Sequence, residues 1–95
     1  MSPSPAERIR IDKWLWHARF YRTRPLAQAA VMSGRIRLNE TRVEKPGHDV
    51  KPGDILTLPR GAEVMVVRVK ACGIRRGPAK EAQSLYESLN NSVLD

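Results

Sequence analysis

The sequence predicts an α+β fold, in which two N-terminal helices pack on a small, mostly antiparallel sheet and a further helix lies near the C-terminus. Three observations support this prediction. Residues 11–34 carry apolar side chains at helical spacing, residues 35–70 hold short apolar or alternating runs divided by Gly and Pro turns, and residues 79–90 return to helical spacing. A length of 95 residues suits one domain with a modest core.

The first helix is predicted from Arg10 to about Arg19. Its buried stripe consists of apolar residues at positions i, i+3, i+4 and i+7, namely Ile11, Trp14, Leu15 and Ala18. Arg10, Lys13 and His17 share another face, which suits either contact with successive phosphates or ordinary solvation. Trp16 falls outside the stripe, so its ring is expected either to pack on a later segment or to stack on a base.

The second helix is predicted to begin at Thr23, as the N-cap, with Pro25 in its first turn, and to end at a left-handed Gly34. Its inward residues are predicted to be Leu26, Ala27, Ala30 and Val31. Arg22 and Arg24 flank its N-terminus. Free N–H groups, the positive end of the helix dipole and two guanidinium groups together predict an anion site suited to phosphate.

A hairpin is predicted next. Residues 35–38 alternate between charged and apolar side chains, which indicates a strand with Arg35 and Arg37 on its wet face. Asn39-Glu40 is the expected tight turn before a second strand at residues 42–43.

The rest of the chain is predicted to complete the sheet and to add a helix. Lys45 opens a basic loop, residues 55–58 form a strand, and the valine-rich residues 63–70 form a strand covered on both faces. Residues 72–78 form a loop whose Arg75 and Arg76 either extend a binding surface or are simply solvated. One side of the helix predicted for residues 79–90 carries Ala82, Leu85, Tyr86 and Leu89.

Positive charge is concentrated in the first half of the chain. The formal net charge is +7, and residues 1–45 hold ten Lys or Arg against four Asp or Glu, whereas residues 46–95 hold seven against six. Four of the five aromatic residues lie in the same half, namely Trp14, Trp16, Phe20 and Tyr21. This clustering indicates a nucleic-acid partner, with a merely soluble basic protein as the alternative.

Other classes of protein find little support in the sequence. No run reaches the roughly 20 apolar residues of a spanning helix, and residues 1–8 lack the pattern of a signal peptide and are predicted to be a disordered tail. A single Cys72 forms no internal disulfide, so a cytoplasmic protein is expected. His17, His48 and Cys72 lack ligand spacing and no Gly-rich phosphate loop occurs, so no metal, cofactor or catalytic residue is predicted. Asp12 is expected to be a helix-terminus acid or an ion-pair partner.

Three blocks occur in a specific order: RIDKWLW at residues 10–16, TRPLAQAAVMSGRIRLN at 23–39 and VKPGDILTL at 50–58. Together they resemble the S4-like RNA-binding domain, the family with the αL motif, over about residues 9–58. The positions that carry the family pattern are Arg10-Ile11-Asp12, Thr23-Arg24, Ala27, Gly34 to Asn39 and Gly53-Asp54. The KWLW opening and the later RRGPAKEAQSLYE resemble the fifteen-kilodalton bacterial heat-shock protein family of this superfamily.

The resemblance implies RNA binding through the two helices and the adjoining hairpin. For the heat-shock family it implies association with the free large ribosomal subunit that carries a stalled nascent chain on tRNA, and a role in rescue or recycling after stress. Carried onto this sequence, the implied RNA-binding residues are Arg10, Lys13, Arg22, Thr23, Arg24, Gln28, Arg35, Arg37 and Lys45. Thr23 and Gln28 would be polar contacts or cap groups, and the others would contact phosphates.

Two departures from the family pattern are visible. The usual Asn-Gly of the hairpin is Asn39-Glu40 here, which places an acid beside the implied surface. The sequence also ends soon after Tyr86, where such relatives tend to continue into a basic tail, and weaker docking on the ribosome is expected.

The chain is therefore expected to divide into three parts. These are a tail at residues 1–8, an S4-like domain at 9–58, and a strand and helix extension at 59–95 packed on the same domain.

The expected function is non-catalytic binding of structured RNA, foremost ribosomal RNA of the large subunit, with tRNA as a further partner. We expect a monomer that needs no cofactor, small-molecule substrate or membrane. Three alternatives stay open: an RNA-binding accessory module for an RNA-modifying enzyme, a DNA-binding helix-turn-helix regulator, and a protein-interaction adaptor with incidental charge. The regulator would need more exposed polar side chains than LAQAAVMS provides.

Overall fold

The predicted α+β architecture is confirmed in the computed structural model, which describes residues 8–89. In chain order the elements are β1 (Ile9–Arg10), α1 (Ile11–His17), α2 (Arg24–Met32), β2 (Ile36–Leu38), β3 (Thr41–Val43), β4 (Asp49–Val50), β5 (Ile55–Arg60), β6 (Glu63–Val69), α3 (Ala79–Ala82), a 3₁₀ turn (Gln83–Leu85) and β7 (Tyr86–Ser88). Except for Arg8, the tail predicted for residues 1–8 lies outside the described residues.

Five strands form an antiparallel sheet in the order β3-β2-β5-β6-β7, and β1 pairs with β4 in a separate two-stranded ribbon. Alternate residues of the larger sheet are buried in the same cluster as the apolar sides of α1 and α2; they are Ile36, Leu38, Val43, Leu56, Leu58, Val67 and Val69. The sheet therefore has an inner face against the helices and an outer face, as the alternation of side chains requires.

The apolar stripe predicted for α1 is confirmed, because Ile11, Trp14 and Leu15 are fully buried. The indole Nε1 of Trp14 donates a hydrogen bond of 2.8 Å to the carbonyl of Ala71. An indole can be buried without cost only when its N–H finds such a partner. This bond ties α1 to the segment that follows β6.

Helix α1 ends in a Schellman motif with an arginine in the position that glycine usually occupies. The N–H of Arg19 donates to the carbonyl of Trp16 (3.1 Å), and the N–H of Phe20 donates to the carbonyl of Leu15 (3.0 Å). Arg19 has a φ of +65°. The Phe20 ring lies 5.8 Å from the Trp14 ring, which supplies the apolar contact that accompanies this motif.

The helix predicted for residues 79–90 is wrong in its second half. Only Ala79–Ala82 are α-helical, and after the 3₁₀ turn Tyr86–Ser88 forms β7 and pairs with the far edge of β6. A helix of one turn has little stability of its own, whereas the exposed edge of β6 offers unpaired N–H and C=O groups to any neighbouring segment. Contact across the fold therefore overrides local helical spacing.

Two predictions about burial are also wrong. Strand β6 is covered on one face only, since Val64 on the outer face is 53% exposed. Leu26 in α2 was expected to point inward but is 52% exposed. The buried side of α2 is formed by Ala27 and Val31, and Leu26 lies outside that side. The left-handed Gly34 at the end of α2 is confirmed, with a φ of +78°.

Candidate nucleic-acid interface

A buried carboxylate joins α1 to α2. Asp12 has no exposed side-chain surface, and both of its oxygens accept hydrogen bonds from Arg10, at 3.1 Å each. Gln28 of α2 donates to Oδ2 at 3.0 Å, and Arg24 reaches the same oxygen at 3.4 Å. The N–H of Lys13 donates to Oδ1 at 2.8 Å. We call Asp12, Arg10, Arg24 and Gln28 the Asp12 cluster.

These contacts keep Asp12 ionised. Burial alone raises the pKa of this carboxyl group, but hydrogen bonds from Arg10 and Gln28 and the charges of Arg10 and Arg24 outweigh burial and hold the pKa below its ordinary value. A buried ionised carboxylate with this many donors is an anchor rather than a proton acceptor. The expectation that Asp12 is an ion-pair partner is confirmed.

The Asp12 cluster holds two guanidinium groups at the protein surface. The side chains of Arg10 and Arg24 are 50% and 36% exposed although both contact a buried acid. Arg10 forms a bidentate pair and Arg24 makes one longer contact, so each guanidinium group keeps N–H donors that Asp12 does not occupy. The cluster therefore orients one cation from β1 and one from α2 without removing them from solvent.

The N-terminus of α2 has the predicted geometry. The Thr23 side chain accepts a hydrogen bond of 3.3 Å from the N–H of Leu26, which confirms Thr23 as the N-cap. Arg22 is exposed in the turn just before it. Arg22 and the Asp12 cluster thus lie at the same end of α2, where the helix dipole favours an anion.

Lys45 and Lys13 are close to the start of α1. Lys45 is exposed and precedes Pro46, whose carbonyl accepts a 3.3 Å hydrogen bond from the N–H of Asp12. A Cβ added to Gly47 would lie 3.8 Å from Cζ of Arg10, so the loop passes directly over this side chain. Lys13 is exposed on α1. Seven of the nine implied residues therefore lie around Asp12 and the N-terminus of α2: Arg10, Lys13, Arg22, Thr23, Arg24, Gln28 and Lys45.

Arg35 and Arg37 belong to a separate group. Arg37 alternates with buried Ile36 and Leu38 and therefore lies on the outer face of the sheet, opposite Arg42 of β3. Arg35 is exposed directly after Gly34. The implied surface thus consists of a helix group and a sheet group, because the alternation of β2 directs the two arginines away from the face that packs on the helices.

The hairpin turn at Asn39-Glu40 is confirmed, and its conformation is now defined. Asn39 and Glu40 have φ values of +51° and +74°, and Leu38 pairs with Thr41 across the two-residue loop. Positive φ at both central residues is the requirement of a type I′ turn. Glu40 therefore occupies a conformation that glycine adopts more readily.

Asn39 has a structural role that the sequence reading missed. Its Oδ1 accepts from the N–H of Ile55 (2.9 Å), and its Nδ2 donates to the buried carboxylate of Asp54 (3.2 Å). Asp54 also accepts from the N–H and the Nζ of Lys51, at 3.0 and 3.1 Å. The motif residues Asn39 and Asp54 thus fix the hairpin to β5, and their shared place in the family pattern was the available signal.

His17 does not belong to the cationic face on which it was placed. Its side chain is only 2% exposed, and Nδ1 lies 3.3 Å from the carbonyl of Cys72. Burial lowers the pKa of His17 below its ordinary value, which favours the neutral ring. The segment 71–77 covers this side of α1 and excludes solvent from it.

Trp16 packs within the protein rather than on a C-terminal helix. Its ring is half-buried, and the guanidinium carbon of Arg76 lies 5.8 Å from its centroid. The His17 ring is 5.7 Å away on the same helix. A cation held over an indole face is a favourable contact, so Trp16 fastens the 71–77 segment to α1.

Within residues 8–89, no helix is long and apolar enough to cross a membrane. Over the same range, no three His, Cys, Asp or Glu side chains are grouped so that they could hold a metal ion.

Comparison with known proteins agrees with this architecture. The S4 domain family model matches residues 9–56. Heat shock protein 15 of Escherichia coli K12 is 44% identical over 93 residues, which cover 98% of this chain and 69% of the relative. The RQC P-site tRNA stabilizing factor of Bacillus subtilis is 39% identical over 86 residues, which cover 90% of this chain and 98% of the relative.

A solved structure is similar over nearly the whole fold. The trimeric structure of Vibrio cholerae heat shock protein 15 superposes with a TM-score of 0.83 at 39% identity, covering 92% of this chain and 87% of that chain. The resemblance of the three blocks to the S4-like domain is confirmed. The chain therefore belongs to the S4 domain family and, within it, to the heat shock protein 15 group.

Proposed function

We propose that the chain binds structured RNA without catalysing a reaction, and that its target is ribosomal RNA of the large subunit during rescue or recycling of stalled subunits in the cytoplasm. The observation that carries the proposal is the Asp12 cluster. It holds Arg10 and Arg24 half-exposed beside the capped N-terminus of α2 and next to Arg22. Oriented guanidinium groups beside a helix N-terminus suit the negative charge of a phosphate backbone.

The names of relatives support tRNA and the ribosome as the setting. The Bacillus subtilis and Listeria innocua relatives, 39% and 32% identical, are both called RQC P-site tRNA stabilizing factors. A P-site tRNA exists on a ribosome, so we propose that the cationic surface of this chain contacts ribosomal RNA and tRNA there.

The chemistry of the site supports binding over catalysis. Asp12 accepts hydrogen bonds on both oxygens and has a lowered pKa, so it is a poor general base. His17 is buried beside the carbonyl of Cys72, and burial lowers the pKa of its ring. These groups stabilise the fold and orient cations, which is what a binding module needs.

Co-sedimentation with separated ribosomal subunits tests the proposal. The tagged protein is mixed with small subunits, large subunits or intact ribosomes at low and moderate salt. We expect enrichment on large subunits, and loss of that enrichment in the Arg22→Ala/Arg24→Ala double variant. The matched control, Arg68→Ala/Lys70→Ala, also removes two positive charges, but from the C-terminal half of the chain. It should sediment like the wild type.

Absence from every ribosomal fraction, in a protein that still binds free RNA, would contradict the ribosomal target and favour an accessory module for an RNA-modifying enzyme. Preference for duplex DNA over RNA would contradict RNA binding itself and favour the helix-turn-helix alternative.

We also propose that the chain acts as a monomer on its RNA. The surface formed by Arg22 and the Asp12 cluster comes from one chain, so no second copy is needed to complete it. The Vibrio cholerae relative is described as trimeric, so the molar mass in solution is the quantity that distinguishes a monomer from a trimer. Light scattering across a concentration series should give the mass of one chain, and a threefold mass would contradict the proposal.

A further inference from the structure

A cleft of about 420 Å³ lies between the turn after α1, the β5–β6 hairpin and the C-terminal segment. Its walls come from the three regions together and include Arg19, Phe20, Tyr21, Arg60, Gln83 and Tyr86. None of these residues belongs to the implied RNA-binding set. A volume of this size lies within the range of small-ligand sites, which begin at about 300 Å³.

The lining combines aromatic rings with cations. Phe20 and Tyr86 are in contact with each other, with ring centroids 4.7 Å apart, and Tyr21 is half-buried beside them. Arg19 and Arg60 are exposed at the cleft. Aromatic surface for stacking with flanking guanidinium groups for phosphate is the chemistry by which proteins hold an unpaired nucleotide.

Arg19 is held at the cleft in a strained conformation. Its φ of +65° falls at the left-handed position of the Schellman motif, where an L side chain is disfavoured by about 1 kcal/mol relative to glycine. Its Nε donates a 2.6 Å hydrogen bond to the carbonyl of Gly77, which leaves the terminal nitrogens of the guanidinium group for another acceptor. Such strain at a non-glycine residue is typical of functional positions.

The cleft is continuous with the surface already described. Residues 19–21 lead directly into Arg22 and the Thr23 cap, so the turn that lines the cleft also carries the N-terminus of α2. Arg60 ends β5 on the opposite wall. An RNA strand with a phosphate at the N-terminus of α2 would pass next to the cleft.

We propose that this cleft binds one unpaired RNA nucleotide, with the base against the rings of Tyr21 and Tyr86 and the neighbouring phosphates at Arg19 and Arg60. This inference rests on RNA binding by the Asp12 cluster and deepens it, because it assigns recognition of a flipped or bulged base to a second site. Gln83 supplies an amide group at the rim that suits the edge of a base.

Two matched RNA hairpins test the inference. They share one duplex and one bulge, but the bulge holds an adenosine in one hairpin and an abasic nucleotide in the other. By fluorescence anisotropy the full chain should bind the adenosine hairpin about tenfold more tightly, since a stacked base contributes roughly this factor. The phosphate backbone is the same in both hairpins, so the difference reports the base alone.

Point substitutions in the cleft test whether the preference for the bulged adenosine arises there. Tyr21→Leu keeps apolar bulk but removes the ring, and it should abolish the preference for adenosine. Arg60→Gln alters an exposed side chain, so folding is retained, and it should weaken binding of the bulged hairpin several-fold. The control Arg68→Gln removes an equal charge from the outer face of β6, where Arg68 pairs with Glu87, and should leave both affinities unchanged.

The outcomes separate this inference from the proposed function. Equal affinity of the wild type for the two hairpins overturns the nucleotide site and leaves the cleft to a protein segment, while RNA binding stands. A base preference that survives both Tyr21→Leu and Arg60→Gln also overturns it, because the base is then read elsewhere. No binding to either hairpin or to ribosomal subunits overturns the proposed function itself.

Discussion

At the scale of single residues, Asp12 determines how the cationic side chains of α1 and α2 are arranged. A fully buried carboxylate costs several kcal/mol to desolvate, and only multiple charged donors offset that cost. Arg10 of β1 and Arg24 of α2 supply the charged donors, and Gln28 of α2 adds a neutral one. The same contacts that stabilise the helix pair therefore determine where the guanidinium groups point.

Replacing Asp12 by asparagine tests this role. Asp12→Asn should lower the free energy of unfolding by about 3 kcal/mol, because two arginines lose their buried counter-charge. Urea denaturation measures the change. The control Asp49→Asn alters an exposed acid on β4 and should change stability by less than about 0.5 kcal/mol. Equal changes in the free energy of unfolding for the two substitutions would contradict a specific stabilising role of the Asp12 cluster.

The pH dependence of stability should carry the signature of Asp12. Its pKa is lowered in the folded protein, so its contribution is complete above the unfolded value of about 3.9 and is lost as pH falls through the folded value. The stability difference between wild type and Asp12→Asn should therefore narrow below about pH 4. Urea titrations at a series of acidic pH values measure it, and a difference that stays constant into strong acid would contradict the assignment.

At the scale of elements, the β2–β3 hairpin and the 71–77 segment show two ways in which short pieces of chain are stabilised. The hairpin is fixed by Asn39, which bonds to Ile55 and Asp54 on the neighbouring strand. The 71–77 segment is fixed to α1 and to the turn after it, because Trp14 of the helix and Arg19 of the turn donate to its carbonyls. Both therefore depend on partners outside their own sequence.

Glycine at position 40 should stabilise the hairpin. Glu40 has a φ of +74° in a type I′ turn, where an L side chain costs about 1 kcal/mol. Glu40→Gly should therefore raise the free energy of unfolding by about that amount, measured by urea denaturation. Glu40→Ala removes the same charge but keeps the strain, and it should give no such gain. Equal gains from both variants would assign the effect to charge instead.

At the scale of the whole molecule, the cations lie on more than one surface. The helix group surrounds Asp12, and Arg37 and Arg42 face outward from the sheet. Arg68 and Arg75 are each paired with an acid, Glu87 and Glu81 respectively, in the C-terminal half. Pairing reduces the net field there, so the unpaired excess of positive charge stays in the N-terminal half.

Binding to RNA should depend steeply on salt. If five or six of the implied cations contact phosphates, log K should fall with log salt with a slope of roughly 4 to 5. Affinity for an RNA hairpin across a KCl series measures this slope. Arg24→Ala should weaken binding several-fold and reduce the slope by about 0.8, since one phosphate contact is lost. An affinity that does not change across the KCl series would contradict an electrostatic interface and favour a protein-interaction adaptor.

Several local features could be predicted because each depends on residues close in sequence. The buried stripe of α1, the Thr23 cap, the left-handed Gly34 and the turn at Asn39-Glu40 all follow from periodicity or turn chemistry within a few positions. The concentration of charge in the first half of the chain is likewise a property of composition. The charge indicates the kind of partner, and the family is indicated by the resemblance of the blocks at residues 10–16, 23–39 and 50–58.

The features that differ from expectation depend on contacts far apart in sequence. Residues 86–88 became a strand because β6 offers an open edge, although their spacing suits a helix. His17 is buried because residues 71–77 lie over α1, 55 positions later in the chain at its contact with Cys72. The cleft likewise requires the turn after α1, the β5–β6 hairpin and the C-terminal segment to meet.

The sequence by itself therefore determined the first two helices, the hairpin turn and the sign of the net charge, because these depend on neighbouring residues or on composition, and its three blocks indicated the family. Only the tertiary structure decided which charged groups converge on Asp12, which arginines lie on the outer face and which polar side chains are buried. The physical reason is that the energies of burial and ion pairing depend on which groups are close in space. Folding brings together residues that no local sequence pattern connects.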